Sequence, residues 1–216
     1  VTNDAEDRSE YWILPGWGVG HDPHGDCRLE LESSSRLRIH IPPTLHDLGT
    51  EIGVMNAPRV LEQVVGDFVA EVHVASGINP AGECTRAGAV PFQGAGLLLW
   101  WDDENYVRVE RSAVIRREPD SAPTSHPYFA FEKREAKEPS SAGYGLRSEA
   151  PLSIRLERRG ERLVASASLD KQTWHAIPPV SITGWPHWLK IGVAAVNTAT
   201  VPMDVVLENY RLRLLG

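Results

Sequence analysis

"GAGLLLWWDDENYVRVERS", residues 94–112, is the stretch whose reading decides the fold. It opens on an apolar run, passes through acidic and amide residues, and closes on alternating apolar and charged residues. Side chains on a strand point alternately to opposite faces, so this is a hairpin whose register follows from what each turn length would bury. With a five-residue turn from Trp101 to Asn105, Leu99 faces Val107 and Leu97 faces Val109, an apolar ladder for a core. Trp100 then stands beside Tyr106, Leu98 beside Arg108 and Gly96 beside Glu110 on the other face. A four-residue turn would oppose Leu99 with Arg108, and burying an unpaired guanidinium costs several kcal/mol. The five-residue register is therefore expected. It leaves Trp100, Tyr106, Arg108 and Glu110 together on the face away from the core.

The same alternation runs outward in both directions. RLRIHIP (36–42) sets Leu37, Ile39 and Ile41 against Arg36, Arg38 and His40, and FVAEVHVA (68–75) repeats the pattern. YVRVER, LSIRLERR, RLVASASL, WLKIGVAAV and VVLENYRLRL continue it, each bounded by Gly, Pro, Asp or Asn. There is no amphipathic helix, and HDLGTEIG (46–53) can make at most one turn. About ten strands at short spacing point to an all-β, antiparallel, two-sheet jelly-roll sandwich. Segment 113–150 reads as one strand, YFAFEKR, between two Pro/Ser-rich surface excursions, and whether it covers the concave face is open. With no internal repeat or composition break, residues 1–216 read as one domain.

The bulk numbers exclude several classes. A formal net charge of −7, with Lys and Arg interspersed among Asp and Glu, argues against a nucleic-acid binder. No apolar run approaches the ~20 residues of a membrane helix. The polar, acidic start VTNDAEDRSE is not an export signal, which leaves export open, with an extracellular or periplasmic setting the expectation. Cys27 and Cys84 form either one bridge or two buried thiols.

Other strands place polar residues at the parity of the Trp100 face. These are Glu71 and His73, Arg155 and Glu157, Ser166 and Ser168, and Lys190. In the concave groove of a jelly roll such residues suit a sugar, whose apolar C–H patches stack on rings while its hydroxyls bond Arg and Glu. The alternative is a solvated sheet face whose cross-strand ion pairs contribute only ~0.2–1 kcal/mol each. Trp185 and Trp188, in TGWPHWLK, suit either a ligand platform or a cap on the end of a sandwich.

"GDFVAEVHV", "GAGLLLWWDDENYVRVER", "LSIRLERRGERLVASASLDKQTWHAI", "LKIGVAAVN" and "LENYRL" follow one another over residues 60–214. In order and spacing they resemble a bacterial and fungal domain family of unknown function, to which a yeast protein named for regulation of enolase belongs. The N-terminal "GWGVGHDPHGDCRLEL", "PPTLHDL" and "NAPRVL" are similar to an extension in planctomycete-type versions, some attached to larger proteins. The resemblance implies a concanavalin A-like lectin/glucanase sandwich, with residues 1–59 integral to it. It implies no established activity, since this fold hosts lectins, glucanases, lyases and spacers alike. It also implies neighbouring domains of a larger protein as partners.

Calcium is the cofactor the resemblance suggests. "HDPHGD" offers Asp22 and Asp26, and such sandwiches hold calcium where the N-terminal loop meets the last strand, so Glu208 or Asn209 would complete the shell. His24 stands where the relatives carry a middle acid, and the other reading is a plain turn capped by both aspartates. SLDKQTW is similar to a Ser-x-Asp-Gly-x-x-Trp hairpin with Lys171 for Gly, a turn with a packing Trp174. The Glu-x-Asp-x-x-Glu strand of retaining glucanases is missing. Glu71, Glu110 and Glu157 lie on strands of unknown adjacency, whereas a retaining pair must stand about 5–5.5 Å apart. RVERS and RIHIP only echo polysaccharide lyases, with His73 and Arg108 imaginable as base and neutraliser. In "HDL" and "NAPR", Asp47 is expected to bond backbone amides and Arg59 to clamp a loop carboxylate, with a metal role for His46 the lesser reading.

The reading from sequence is thus a non-catalytic carbohydrate-binding or accessory module. Its contact face is Trp100, Tyr106, Arg108 and Glu110, with Arg155, His73 and Glu71 beside them. A structural or protein-interaction domain is the alternative, and a glycan-active enzyme the weaker one.

Overall fold

A computed structural model describes residues 10–76, 78–116, 122–144, 146 and 148–216. In chain order the strands are β1 (Glu10–Leu14), β2 (Gly18–Asp22), β3 (Arg28–Ser33), β4 (Arg36–Ile41), β5 (Leu48–Gly49) and β6 (Val54–Met55). There follow β7 (Arg59–Val65), β8 (Phe68–Val74), β9 (Phe92–Asp102), β10 (Asn105–Arg116), β11 (Thr124–Glu135) and β12 (Glu138–Tyr144). The last are β13 (Leu152–Arg159), β14 (Arg162–Ser168), β15 (His175–Ala176), β16 (Val180–Ser181), β17 (Trp188–Asn197) and β18 (Met203–Leu214). Among the described residues the helical content is one 3-10 turn, Thr50–Ile52, within the stretch allowed a single turn by its sequence.

Two antiparallel sheets stack face to face. The first runs β1-β2-β7-β17-β9-β10-β11-β12, and the second β15-β14-β13-β8-β18-β4-β3 with β16 beside β14. Alternate residues fill the space between: Leu97, Leu99, Val107 and Val109 from the first sheet meet Ile39, Val72, Ile154 and Leu207 from the second. This is the antiparallel, two-sheet jelly-roll sandwich that the alternation implied. The β9–β10 hairpin has the expected register, Tyr106 opposite Trp100, Val107 opposite Leu99, Arg108 opposite Leu98 and Glu110 opposite Gly96.

Strands in the first sheet approach each other unusually closely at two glycines. A Cβ at Gly96 would lie 2.1 Å from the Val109 carbonyl oxygen, and one at Gly192 would lie 2.0 Å from that of Val60. Both positions need glycine because neighbouring backbone occupies the space of a side chain.

The 113–150 segment departs from expectation. Most of it is strand: β10 runs on to Arg116, β11 begins at Thr124, and β12 forms the edge of the first sheet. The backbone ladder of an edge strand needs no apolar alternation, so polar EPSSAGY, with its Pro, pairs with β11 regardless of composition. The parts of this excursion at 117–121, 145 and 147 lie outside the described residues, as does the acidic start at 1–9. Cys27 and Cys84 are free thiols, each half-buried.

Between β4 and β7 the chain arches over the outer face of the first sheet. Leu48, Met55 and Ala57 of this arch pack on Leu61, Leu98, Trp100, Tyr106, Ala194 and Val196, forming a second, smaller core.

Candidate functional site

The arch decides what the Trp100 face can do. Trp100, Tyr106, Arg108 and Glu110 do share the face away from the main core, yet all are buried. Tyr106 donates its hydroxyl to the Leu48 carbonyl at 2.6 Å. Its ring stacks on Trp100 at 5.4 Å and 15°. The Arg59 guanidinium lies over the same indole, 4.8 Å from its centroid, and donates to the Ala57 carbonyl at 3.0 Å. The expected carboxylate clamp by Arg59 is thus replaced by a backbone carbonyl and a ring. Trp100 and Tyr106 are packing residues here, because the arch removes the open surface that strand parity alone implied.

Tyr106→Phe leaves the Leu48 carbonyl without its donor and is expected to cost about 1–2 kcal/mol. The check is amide exchange, which should quicken over residues 48–57 before the sheets; unchanged exchange there would show that this bond does not hold the arch.

Next along the face stands a network of charges. Arg108 opposes Glu132 of β11, and Tyr106 opposes Arg134. Arg108 Nη2 donates to Glu132 at 2.8 Å and Nη1 to Asp47 of the arch at 3.3 Å. Arg134 Nε donates to the other Glu132 oxygen at 2.8 Å, and its Nη1 lies 2.8 Å from Glu51. Glu110 is different: its Oε1 is 3.9 Å from Arg108 Nε, too long for a hydrogen bond, and its Oε2 accepts from Ser112 at 3.4 Å. Gly94 makes room for it, since a Cβ there would lie 2.8 Å from Oε2.

The carboxyls diverge accordingly. Burial pushes Glu110 up to about 7, against the pull of Arg108. Burial also raises Asp47, only partly offset by Arg108. Glu132 is held below its usual value because Arg108 and Arg134 together overcome its burial. Arg108 stays charged despite burial, held so by Glu110, Glu132 and Asp47. Glu110 is thus the member of the network poised to carry a proton at neutral pH.

Beside the arch this network lines a cleft of about 410 Å³, walled by Phe92, Tyr128 and Val90 with Arg86 at its rim. On the arch's other flank a recess of about 630 Å³ is lined by Tyr11, His21, Arg59, Trp100 and Lys190. Lys190 does stand beside Trp100, as its parity implied.

Glu71, His73 and Arg155 do not join this face. They lie on β8 and β13 of the second sheet, where Arg155 donates to Glu71 at 2.8 Å, His73 bonds Ser153 at 3.0 Å, and Arg155 covers Trp174 at 3.8 Å. The parity was right, but parity does not say which sheet a strand enters. His73 with Arg108, or Glu110 with Glu71 or Glu157, therefore cannot act as a pair, since the whole core separates them. Glu157, Ser166 and Ser168 belong to the second sheet as well. Trp185 is buried, its Nε1 donating to Glu135 at 3.1 Å, whereas Trp188 is exposed. Lys171 adopts a left-handed φ of 62° in the SLDKQTW turn, where Asp170 accepts from the Gln172 and Thr173 amides at 2.8 and 2.7 Å.

The proposed calcium ligands separate too. Glu208 sits on β18, ion-paired with Arg36, and is not gathered with the aspartates. Asp22 and Asp26 instead meet Cys27 and His46, with one donor atom of each of these four residues within 4.8 Å of the others. Asp22 accepts the Cys27 amide at 2.6 Å and the His24 amide at 3.2 Å, as a turn-capping aspartate does. Burial first, then Asp22 and Asp26, push the Cys27 thiol well above its ordinary value.

No protein-family profile and no curated protein match the sequence. Solved structures do match in fold. A functionally unknown protein from Saccharomyces cerevisiae aligns with TM-score 0.66 at 15% identity, over 97% of this chain and 98% of that one. The GH43 protein BlXynB from Bacillus licheniformis aligns with TM-score 0.62 at 14% identity, over 100% of this chain. A xylan beta-1,4-xylosidase from Bacillus halodurans aligns with TM-score 0.57 at 12% identity, over 95% of this chain. The fold is shared; the sequence is not. This chain spans 40% of the length of the BlXynB chain and 38% of that of the xylosidase chain.

Asp47, Glu51, Tyr128, Glu132 and Arg134 were not picked out from sequence as site residues. In YFAFEKR the alternation that buries Phe129 and Phe131 puts Tyr128, Glu132 and Arg134 on the opposite face, so the signal was present but unassigned to a sheet.

Proposed function

We propose that the protein is a non-catalytic glycan-recognition or accessory module that takes its ligand in the cleft over β9, β10 and β11. The observation that carries this reading is the composition of that cleft. Arg108, Glu132 and Arg134 are fixed by mutual hydrogen bonds, while Phe92 and Tyr128 supply apolar walls. Prearranged polar groups beside ring surface suit a sugar, which presents hydroxyls and C–H patches together. In this reading Arg86 and Tyr128 make the outer contacts, Arg108, Glu110 and Arg134 lie at the floor, and Trp100 and Tyr106 support from beneath the arch. The accessory part of the reading draws on the fold's occurrence within longer chains whose names include a GH43 protein and a xylan beta-1,4-xylosidase. The closer kinship with the regulation-of-enolase family belongs to the same proposal.

The test is a glycan array, with xylan among the polymers, probed with wild type, Arg86→Ala and Tyr128→Ala. Wild type should retain a glycan, and each variant should lose roughly tenfold in affinity, about 1.4 kcal/mol. Variants that bind every glycan as the parent does would exclude the cleft; a parent that binds none would defeat the reading.

A second reading, a protein-interaction domain, rests on a separate observation. Tyr11, Ile13, Val19, Val65 and Trp188 are all exposed on the outer face of the first sheet toward its β1–β2–β7 end. Grouped exposed apolar residues commonly mark a docking surface.

A further inference from the structure

We propose that Asp22, Asp26, Cys27 and His46 form a binding site for a divalent transition-metal ion of the zinc type. The site joins two parts of the chain that are distant in sequence. Asp22 ends β2 in the first sheet, Asp26 and Cys27 lead into β3 in the second, and His46 opens the arch, fixed by backbone hydrogen bonds to Asn197 at 2.9 Å in both directions. One nitrogen, one sulfur and two carboxylate oxygens make a donor set that calcium does not favour and zinc does.

The geometry is close to what such an ion needs. Tetrahedral bonds of roughly 2.0–2.3 Å place neighbouring donors about 3.3–3.7 Å apart. His46 Nε2 is 2.9 Å from Asp26 Oδ1, Cys27 Sγ is 3.9 Å from that oxygen, and all four donors fall within 4.8 Å. Shifts of about 1 Å would close the set. Asp22 is already oriented by the amides of His24 and Cys27, and among the described residues each of its oxygens accepts a single hydrogen bond.

His46 supplies a second, independent observation. Its ring is fully buried, and both nitrogens face oxygen: Nε2 the Asp26 carboxylate, Nδ1 the Thr44 carbonyl at 3.3 Å. With Nε2–H donated to Asp26, the donor left for Nδ1 among the described residues is the Thr44 hydroxyl at 3.4 Å, close to the limit of a hydrogen bond. With Nδ1–H given to Thr44, a cation between Nε2 and Asp26 satisfies both, the arrangement that orients metal-bound histidines generally. Among the described residues, neither aspartate has a Lys or Arg partner. On loading, the metal–sulfur bond forms as the Cys27 proton passes to solvent and metal-bound water is released.

The experiment uses the whole chain, freed of metal by a chelator. Zinc is titrated against a chromophoric competitor, and cobalt(II) serves as the spectroscopic probe. One equivalent should bind, with a thiolate-to-cobalt charge-transfer band in the near ultraviolet. Cys27→Ser should abolish that band, and Cys27→Ser and Asp26→Asn should each weaken zinc binding at least roughly tenfold, whereas Cys84→Ser should change neither. Zinc should also raise the melting temperature by several degrees, reversed by chelator. Failure of folded wild type to take up zinc, uptake without the thiolate band, retention by both variants, or preferential uptake of calcium would each overturn the assignment.

Discussion

Arg108→Met is expected to destabilise the protein by about 3–5 kcal/mol at neutral pH, the cost typical of breaking a buried ion pair by removing one partner. The side chain is 8% exposed and lies against Asp47, Glu110 and Glu132. Its loss leaves those buried carboxyls with Arg134 alone, and a methionine cannot replace the hydrogen bonds to Asp47 and Glu132. Without the guanidinium, the folded values of Asp47 and Glu110 rise further, and Glu132 loses one of the two arginines that hold it low. A carboxyl raised on folding contributes stability that is present below its unfolded value and lost as pH climbs through the folded one. The deficit should therefore be smaller at pH 5 than at pH 8. Denaturant melts at both pH values measure it; a cost below about 1 kcal/mol at each would mean that water already solvates the network.

Glu110→Gln should act in the opposite direction. Glu110 titrates at about 7 in the folded chain, above its ordinary 4.5. Its share of stability is complete below 4.5, and it falls away as pH rises toward 7 and beyond. Glutamine removes the titration while keeping the shape. Relative to wild type, the variant should gain about 2–3 kcal/mol between pH 4 and pH 8. For a chain of this size the gain corresponds to roughly 5–10 °C in melting temperature. A difference between the two proteins that does not change with pH would show that Glu110 is ionised throughout.

The hairpin was legible in sequence because a local cost decided it. One register pairs apolar residues and the other buries Arg108 among them. What lies above the hairpin was not legible. The arch carries Leu48 and Ala57 among polar and turn residues, and nothing in HDLGTEIG says that Leu48 will cover Tyr106, more than fifty residues away. The placement of Glu71, His73 and Arg155 failed for a related reason, since alternation fixes a face but not a sheet. At the turn after β2, Asp22 and Asp26 stood out as candidate ligands and His46 only as a lesser one, with nothing local to join them. Glu208 is taken by Arg36, and His46 arrives through its pairing with Asn197, a contact set by the fold as a whole.

The order of strands bears on how the chain can be assembled during translation. Among the described residues, β17 alone links β7 to β9 in the first sheet, and β18 alone links β8 to β4 in the second. Before these two strands leave the ribosome, each sheet exists as two unjoined pieces: β1-β2-β7 and β9 to β12, then β13 to β16 with β8, and β3-β4. Every piece has a raw hydrogen-bonding edge where its missing neighbour belongs, and such edges invite pairing with other chains. The sandwich therefore cannot close until β17 and β18 have both emerged. The closing step falls to residues 188–214, and it must insert two strands into gaps rather than add them at margins.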